Sequence, residues 1–253
     1  MPTPNRVTLC VSCMIGCPLK CKFCATGSEL KFVRKLDTSE MVGQIIAIQN
    51  HILKNKIIEK KKITNIVFMG MGEPLLNLEN IQKVLEILLS KDGFSISRSR
   101  ITISTAGVTN ELSELINKYR IKLAISLHFP TDVQRNKFMP INKKFPLKKL
   151  LSEAKKIKLS KRDYITIEYL MLDKINDTLD DAQKLVRLLH DLKTKINLIP
   201  YNSTKTFPYR SSSEKQTDKF AKYLRSKSIM VTVRKSRGKN IQGGCGQFVL
   251  NKS

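Results

Sequence analysis

Acidic side chains are scarce in this chain of 253 residues: 21 Asp and Glu face 46 Lys and Arg, for a formal net charge of +25. Base composition enriches Lys without stripping out acids, so it does not account for the imbalance, which points to a polyanionic partner. Long apolar runs are missing as well. The longest are strand-length or broken by charge, which excludes a helical membrane span. No apolar h-region occurs in Met1-Pro-Thr-Pro-Asn-Arg6, so no signal peptide is expected. There is no sequence repeat, low-complexity tract or internal linker, and the charged run Lys54–Lys62 reads as a loop. What remains is a single domain of barrel-class length, with 41% hydrophobic residues to build a core. That content excludes wholesale disorder.

Cysteine is absent from residue 25 to residue 244. Clustered, unpaired thiols fit a reducing, cytoplasmic setting better than a secreted disulfide scaffold. Three of the five N-terminal cysteines read Cys17-x-x-x-Cys21-x-x-Cys24, within Gly16-Cys-Pro-Leu-Lys-Cys-Lys-Phe-Cys-Ala-Thr-Gly27. Thiolates this close together hold a soft metal, an iron–sulfur cluster or zinc. Three thiolates leave one iron of a [4Fe–4S] cluster open to a substrate or cofactor, whereas a closed structural site wants four ligands. The spacing resembles the signature of the radical S-adenosylmethionine (SAM) superfamily, which implies that the open iron binds the amino and carboxylate groups of SAM. The competing reading is a zinc knuckle with Cys13 or Cys10 as fourth ligand.

Short β-rich runs alternate with helical periodicity along the chain. The strand candidates are Arg6–Ser12, Ile63–Met69, Ile101–Thr105, Ile121–Leu127, Tyr164–Met171, Ile196–Ile199 and Ile229–Val233. Between them, apolar residues keep one helical face: Met41, Ile45, Ile48 and Ile52 after an Asp37/Thr38 start, then Leu78, Ile81, Leu85 and Leu88, then Leu179, Ala182, Leu185, Val186 and Leu189. Ser211-x-x-Glu214 reads as a capping box for a helix carrying Phe220, Tyr223 and Leu224. Repeated β–α–β units predict an α/β fold with a parallel sheet, a partial (β/α)6-type barrel and not a closed eight-fold one.

In such barrels the chemistry gathers at the C-terminal ends of the strands. The cysteine loop follows the first strand and Gly70-Met-Gly72-Glu73-Pro74 the second; Ser104 ends the third, Ser126-Leu127-His128 the fourth, and Tyr201-Asn202 follows the sixth. Gly72 permits close backbone approach, and Glu73 accepts hydrogen bonds from an ammonium group. Ser104, Ser126 and Asn202 suit a carboxylate or ribose, although each is equally a solvated turn residue. His128 is balanced between a ligand-facing and a structural role; His51 and His190 sit in helical patterns and carry no function. Arg234-Lys-Ser-Arg237 reads as a solvated edge with the option of phosphate contact. Cys245 stands alone in Gly243-Gly-Cys245-Gly246-Gln247, where a glycine-rich loop favours a reactive thiol over buried filler. Cys10 is a candidate partner for it, and Cys13 has no assigned role.

Thr8-Leu-Cys10-Val-Ser with Gly16-Cys17 and Ala25-Thr-Gly27 resembles the radical SAM rRNA adenine methyltransferases of the RlmN and Cfr type. So do Met69-Gly-Met-Gly-Glu-Pro-Leu75, Ile103-Ser-Thr105, Ile125-Ser-Leu-His128, Met139-Pro-Ile-Asn142, Thr166-Ile-Glu-Tyr169, Asn197-Leu-Ile-Pro-Tyr-Asn202, Val233-Arg-Lys235 and Cys245-Gly-Gln247. The likeness runs from Thr8 to Gln247 and lies nearer the C2-methylating branch than the C8-modifying one. It implies one [4Fe–4S] cluster on Cys17, Cys21 and Cys24, with SAM contacts from Gly72, Glu73, Ser104, Ser126, Leu127, His128 and Asn202. Two SAM per turnover are implied. One methylates Cys245; the other yields a 5′-deoxyadenosyl radical that activates the S-methyl group for addition to C2 of adenine. Cys10 then attacks the sulfur of Cys245 in a thiol–disulfide step that frees the product. The implied substrates are 23S rRNA, at adenine 2503, and tRNA, at adenine 37. A flavodoxin or ferredoxin is the implied electron donor, for a monomer without membrane attachment. The family also carries an N-terminal accessory domain and a Glu base upstream of the Cys10 position. Nine residues precede Cys10, so both are expected to be absent, leaving a radical SAM core over 1–253 that ends in the methyl-carrier loop. Two alternatives stay open: a radical SAM enzyme with another substrate, and a truncated or non-catalytic RNA-binding relative.

Overall fold

A computed structural model describes residues 2, 3, 6–55, 62–203 and 207–234. Seven parallel strands form its sheet: β1 (Arg6–Cys10), β2 (Asn65–Phe68), β3 (Ile101–Thr105), β4 (Lys122–Ser126), β5 (Ile165–Met171), β6 (Thr194–Pro200) and β7 (Met230–Val233). Each strand pairs with the next in sequence, and Pro2–Thr3 adds a short antiparallel strand outside β1. The sheet curls into a half-barrel and stays open between β1 and β7 among the described residues.

Helices fill the six crossovers: α1 (Ala25–Ser28) and α2 (Thr38–Lys54), α3 (Leu78–Leu89), α4 (Leu112–Tyr119), α5 (Asp132–Phe138) and α6 (Leu147–Lys155), α7 (Leu179–Leu189) and α8 (Glu214–Ser226). The expected partial (β/α)6 barrel is therefore the observed one. None of these helices is long and apolar enough to cross a membrane.

The central strands β2, β4 and β5 read as near-continuous apolar runs because the middle of a parallel sheet covered by helices is buried on both faces. In β5, six of the seven residues are buried. The stripes on α2, α3 and α7 turn inward as expected, with Ile81, Leu85 and Leu88 of α3 fully buried. Ile48 and Leu179 depart from this: they share the apolar faces of α2 and α7 but are 41% and 36% exposed. A stripe gives the direction of burial, not the reach of what covers it. α2 starts at a capping box in which Asp37 and Glu40 satisfy each other's backbone N–H groups. The start of α8 differs from expectation. Ser213 caps it, its Oγ accepting from the Gln216 N–H at 3.2 Å, while Ser211 is held extended in a bridge to Leu172. Three successive serines offer three registers, and the bridge selects one.

Apolar side chains gather in two places. The larger cluster, mostly Ile, Leu and Val, lies between the sheet and the helices. A smaller one, with Leu19, Cys21, Phe129, Phe138, Met139, Leu170, Leu172 and Tyr201, sits under the loops at the strand C-termini.

Candidate active site

The cysteine loop leaves the end of β1 and returns immediately before α2 on a short ribbon, with Met14 opposite Lys35 and Ile15 opposite Arg34. The Leu36 N–H donates to the Cys13 carbonyl at 3.0 Å. One buried amide, Asn77 Nδ2, donates to both Cys13 O (3.0 Å) and Leu36 O (2.8 Å). The Gln44 side chain pairs with both backbone groups of Ser12 (2.9 and 3.0 Å), as a neighbouring strand would. Gly16 turns the chain off this ribbon at φ +75°, where a Cβ would stand 2.4 Å from the Lys31 carbonyl oxygen. Farther out, the Lys22 N–H donates to the Phe138 carbonyl at 2.9 Å, which ties the loop to the end of α5.

Cys17, Cys21 and Cys24 line one cavity, together with Gly70, Gly72 and Glu73 after β2, Ser104 on β3, Ser126 and His128 at the end of β4, Glu168 on β5 and Arg234 beyond β7. Burial pushes the Cys17 thiol up to about 11 and raises Cys21 and Cys24 as well, so the thiolate forms need a metal to hold them. Among the described residues, no three His, Cys, Asp or Glu side chains converge tightly enough for a single ion. Thiols spread around a shared cavity suit a cluster, in which each binds a different iron. No disulfide links any two of the described cysteines.

Cys13 is elsewhere. Its Sγ donates to the Met71 carbonyl at 3.6 Å, and a Cβ on Gly72, at φ +102°, would lie 2.9 Å from that sulfur. It therefore packs beneath the glycine turn, outside the cavity wall. Cys10 pairs with Val67 within the sheet and also lies off the wall. Among the described residues, neither Cys13 nor Cys10, the two fourth ligands expected of a zinc knuckle, lines the cavity with the other three cysteines. Cys245 and its glycine loop lie outside the described residues, as do Lys235 to Arg237.

Glu73 is 2% exposed and accepts from the backbone N–H groups of Ala106 (2.7 Å) and Leu75 (3.3 Å). Burial raises its carboxyl to about 7 against the pull of those bonds. Ser104 Oγ and Ser126 Oγ stand 3.5 Å apart on adjacent strands. His128 adopts the left-handed region at φ +56°. Its Nδ1 accepts from the Leu170 N–H at 3.1 Å, which puts the ring proton on Nε2. Its carbonyl accepts from Asn176 Nδ2 at 2.7 Å, and the Phe23 ring meets it edge-on at 5.1 Å. Burial and the nearby Arg135 lower its pKa to about 3, so the ring is a fixed neutral donor.

Two of the expected contacts are not on the wall. Leu127 is fully buried in the main core, because strand alternation turns it away from the cavity that Ser126 faces. Asn202 is half-buried on the loop after β6 and does not line the cavity, since Tyr201 takes the inward position.

Sequence reading missed three residues here. Glu168 is buried on the row that runs Ser126, Glu168, Asn197 and Thr232 across β4 to β7. It accepts from Asn197 Nδ2 at 2.8 Å, and burial raises its pKa. A lone carboxylate inside an apolar strand was its signal. Arg234 lines the cavity within the electrostatic reach of Glu168, and is not a solvated edge. Arg135, fully buried under the site, left no mark in the sequence.

The radical SAM superfamily profile matches residues 11–189. A dual-specificity RNA methyltransferase RlmN from Geobacter sulfurreducens is 45% identical over 98% of this chain and 66% of its own length. One from Buchnera aphidicola subsp. Acyrthosiphon pisum is 50% identical over 98% of this chain and 68% of its own. The chain thus spans about two thirds of these curated relatives. Among solved structures, a radical SAM methyltransferase from Sphaerobacter thermophilus superposes with a TM-score of 0.90 at 36% identity, covering 98% of this chain and 71% of that one. A domain of a pyruvate-formate lyase-activating enzyme from Bacteroides vulgatus shares the fold alone, at 18% identity and a TM-score of 0.52, over 68% of this chain and 99% of that one. A profile over most of the chain, and identities of this size from end to end, make this chain a member of the radical SAM superfamily and, within it, of the RlmN dual-specificity RNA methyltransferases.

Proposed function

We propose that this chain methylates C2 of adenine in RNA, at adenine 2503 of 23S rRNA and adenine 37 of tRNA. In this reading Cys17, Cys21 and Cys24 hold one [4Fe–4S] cluster, two SAM are used per turnover, Cys245 carries the methyl group and Cys10 is the resolving thiol. The observation that carries it is the convergence of three thiols and the strand-end residues of β2 to β5 on one cavity. When bound, the cluster and its SAM supply one-electron bond cleavage, which no side chain offers. C2 of adenine is not nucleophilic, so a polar methyl transfer would fail there.

The chain's own groups bind and orient. Gly72 lines the cavity with its backbone, at a φ of +102° and with the space that a Cβ would need taken by Met14 and Cys13 beneath it. An ammonium group beside Glu73 would return that carboxyl to its ionised form, offsetting the cost of burial. The hydroxyls of Ser104 and Ser126 and the Nε2–H of His128 suit carboxylate and ribose oxygens, with the Asn202 amide on the adjoining loop. Phe68, Met139 and Leu170 on the same wall keep water from the reacting atoms. Cys245 would act as a thiolate nucleophile towards the first SAM, and Cys10, at the end of β1, would attack its sulfur after transfer. The +25 charge supports binding to an RNA backbone. We further infer a cytoplasmic monomer supplied with electrons by a flavodoxin or ferredoxin, with the catalytic parts in one core over 1–253.

Two measurements test this. After anaerobic reconstitution the wild type should hold one cluster per chain. Cys17→Ala, Cys21→Ala and Cys24→Ala should each hold none, and Cys13→Ala should keep it. Stoichiometric zinc without iron, or loss of the cluster in Cys13→Ala, would overturn the three-thiolate site. Next, incubation with SAM should add one methyl or methylene unit to the Cys245 peptide, and Cys10→Ala should accumulate protein crosslinked to RNA. If Cys245→Ala still yields 2-methyladenosine, the carrier role is wrong.

A further inference from the structure

We propose that Arg135 is a positioning residue for the cluster: its buried positive charge favours the reduced state, while its guanidinium fork fixes the loops that form the opposite wall. The side chain is 0% exposed. Its hydrogen bonds all end on neutral oxygens. Nε donates to Asn142 Oδ1 at 2.8 Å, Nη1 to the carbonyls of Ser126 (3.2 Å) and Leu127 (2.5 Å), and Nη2 to the carbonyl of Ala106 (2.7 Å). Carbonyls satisfy the donors without cancelling the charge. A cation taken out of water in this way is costly unless an anion lies near.

Two acidic groups answer to that charge, Cys21 and Asp132, while His128 is kept neutral in part by it. Asp132 is reached only through an intermediary, for Asn142 Nδ2 donates to Asp132 Oδ1 at 2.7 Å while its own oxygen faces Arg135. Cys21 shares an apolar cluster with Phe129, Phe138 and Met139, the last two at and just beyond the end of α5, the helix that carries Arg135. Space for the guanidinium is kept open on its far side as well. At Gly107, φ +121°, a Cβ would lie 2.9 Å from Nη2. The counter-charge that justifies this burial is therefore the anionic assembly formed when Cys17, Cys21 and Cys24 bind their cluster. One-electron reduction of that assembly, by dithionite in the test below, adds one negative charge and moves no proton. A fixed cation nearby stabilises the product more than the reactant.

This inference rests on the three-cysteine cluster reading, and the experiment separates the two. Reconstituted wild type, Arg135→Gln, Arg135→Lys and Asp132→Asn are titrated anaerobically with dithionite and mediators, with the reduced fraction read by electron paramagnetic resonance. At the wild-type midpoint, Arg135→Gln should show a reduced-to-oxidised ratio about tenfold lower, a shift of about 59 mV for one electron. Asp132→Asn, which removes an anion and keeps its acceptor oxygen, should move the ratio the other way. Arg135→Lys should stay within about threefold of wild type. Damage to packing would not give opposite signs in the first two variants. An unchanged ratio in Arg135→Gln overturns the proposal. Should Arg135→Gln fail to fold or to hold iron, Asp132→Asn decides: a raised ratio supports the charge role, and an unchanged or lowered one overturns it. If the wild type itself takes up no iron, the cluster reading fails instead.

Discussion

The two apolar clusters differ in side chains and in what depends on them. Between sheet and helices, branched aliphatic residues such as Ile66, Ile103, Leu123, Ile165 and Ile196 fill most of the interior, and the thiol among them, Cys13, lies off the cavity wall. Under the strand ends, rings and sulfur replace them. Phe129 and Phe138 stack at 4.8 Å and 11°, Phe23 meets Phe129 at 6.0 Å, and Tyr209 meets Phe138 at 5.8 Å. No single strand or helix supplies these residues; loops bring them together against Cys21. The first cluster holds the barrel, and the second holds a loop in place on the barrel. Stability and site geometry are therefore separable by mutation.

The largest effect is expected in the first cluster. Leu85→Ala empties a fully buried position on α3 and should cost about 2–5 kcal/mol, with the urea midpoint falling at an unchanged slope. A loss confined to the cysteine loop, with the global midpoint kept, would break the comparison. The next effect belongs to the rim and depends on pH. His128 has a pKa of about 3 when folded, against 6.5 for an ordinary histidine. Between those values the unfolded chain binds a proton that the folded chain does not, so stability is complete above pH 6.5 and falls as pH drops towards 3. From pH 7 to pH 5 the wild type should lose about 2 kcal/mol more than His128→Asn, whose side chain tolerates the left-handed backbone. Equal pH profiles from chemical denaturation would remove the buried neutral ring. The smallest effect sharpens the contrast. Phe138→Leu should cost only about 1 kcal/mol globally, yet amides of residues 22–28 should exchange about tenfold faster, because their anchor is the ring stack beneath. Uniform exchange across the chain would show that the two clusters act as one.

The same division explains how much the sequence reveals. Strands such as Ile101–Thr105 and stripes such as Ile81, Leu85 and Leu88 obey periods of two or 3.6 residues, so burial follows from spacing. The cysteine triplet is legible because its ligands are close in sequence, and the glycine turn before Glu73 is legible as a strand end. The rest of the site depends on contacts between distant segments. Leu127 looked like a wall residue beside Ser126 and His128, but alternation sends it into the core. Ser211 looked like a cap until its bridge to Leu172 removed it from the helix. Arg135 receives its role from Ala106, Ser126, Leu127 and Asn142, and no local pattern announces a residue whose partners are mostly main-chain oxygens.

The cysteine excursion has matched ends. Cys13 and Leu36 bond to each other, and the amide of Asn77 spans both. Closing a flexible segment carries an entropic cost that grows only slowly with its length, and here the stem makes that closure. The excursion is thus an insert held at two places, a stem that the barrel grips and a tip whose length can vary only where the docking of Leu19 to Lys22 against the end of α5 is kept. A chimera with a longer or shorter tip, with the stem, Leu19 to Lys22, Asn77 and Gln44 kept, should fold on the same barrel. Ligand spacing at the tip can then change between proteins without any revision of the sheet that carries it.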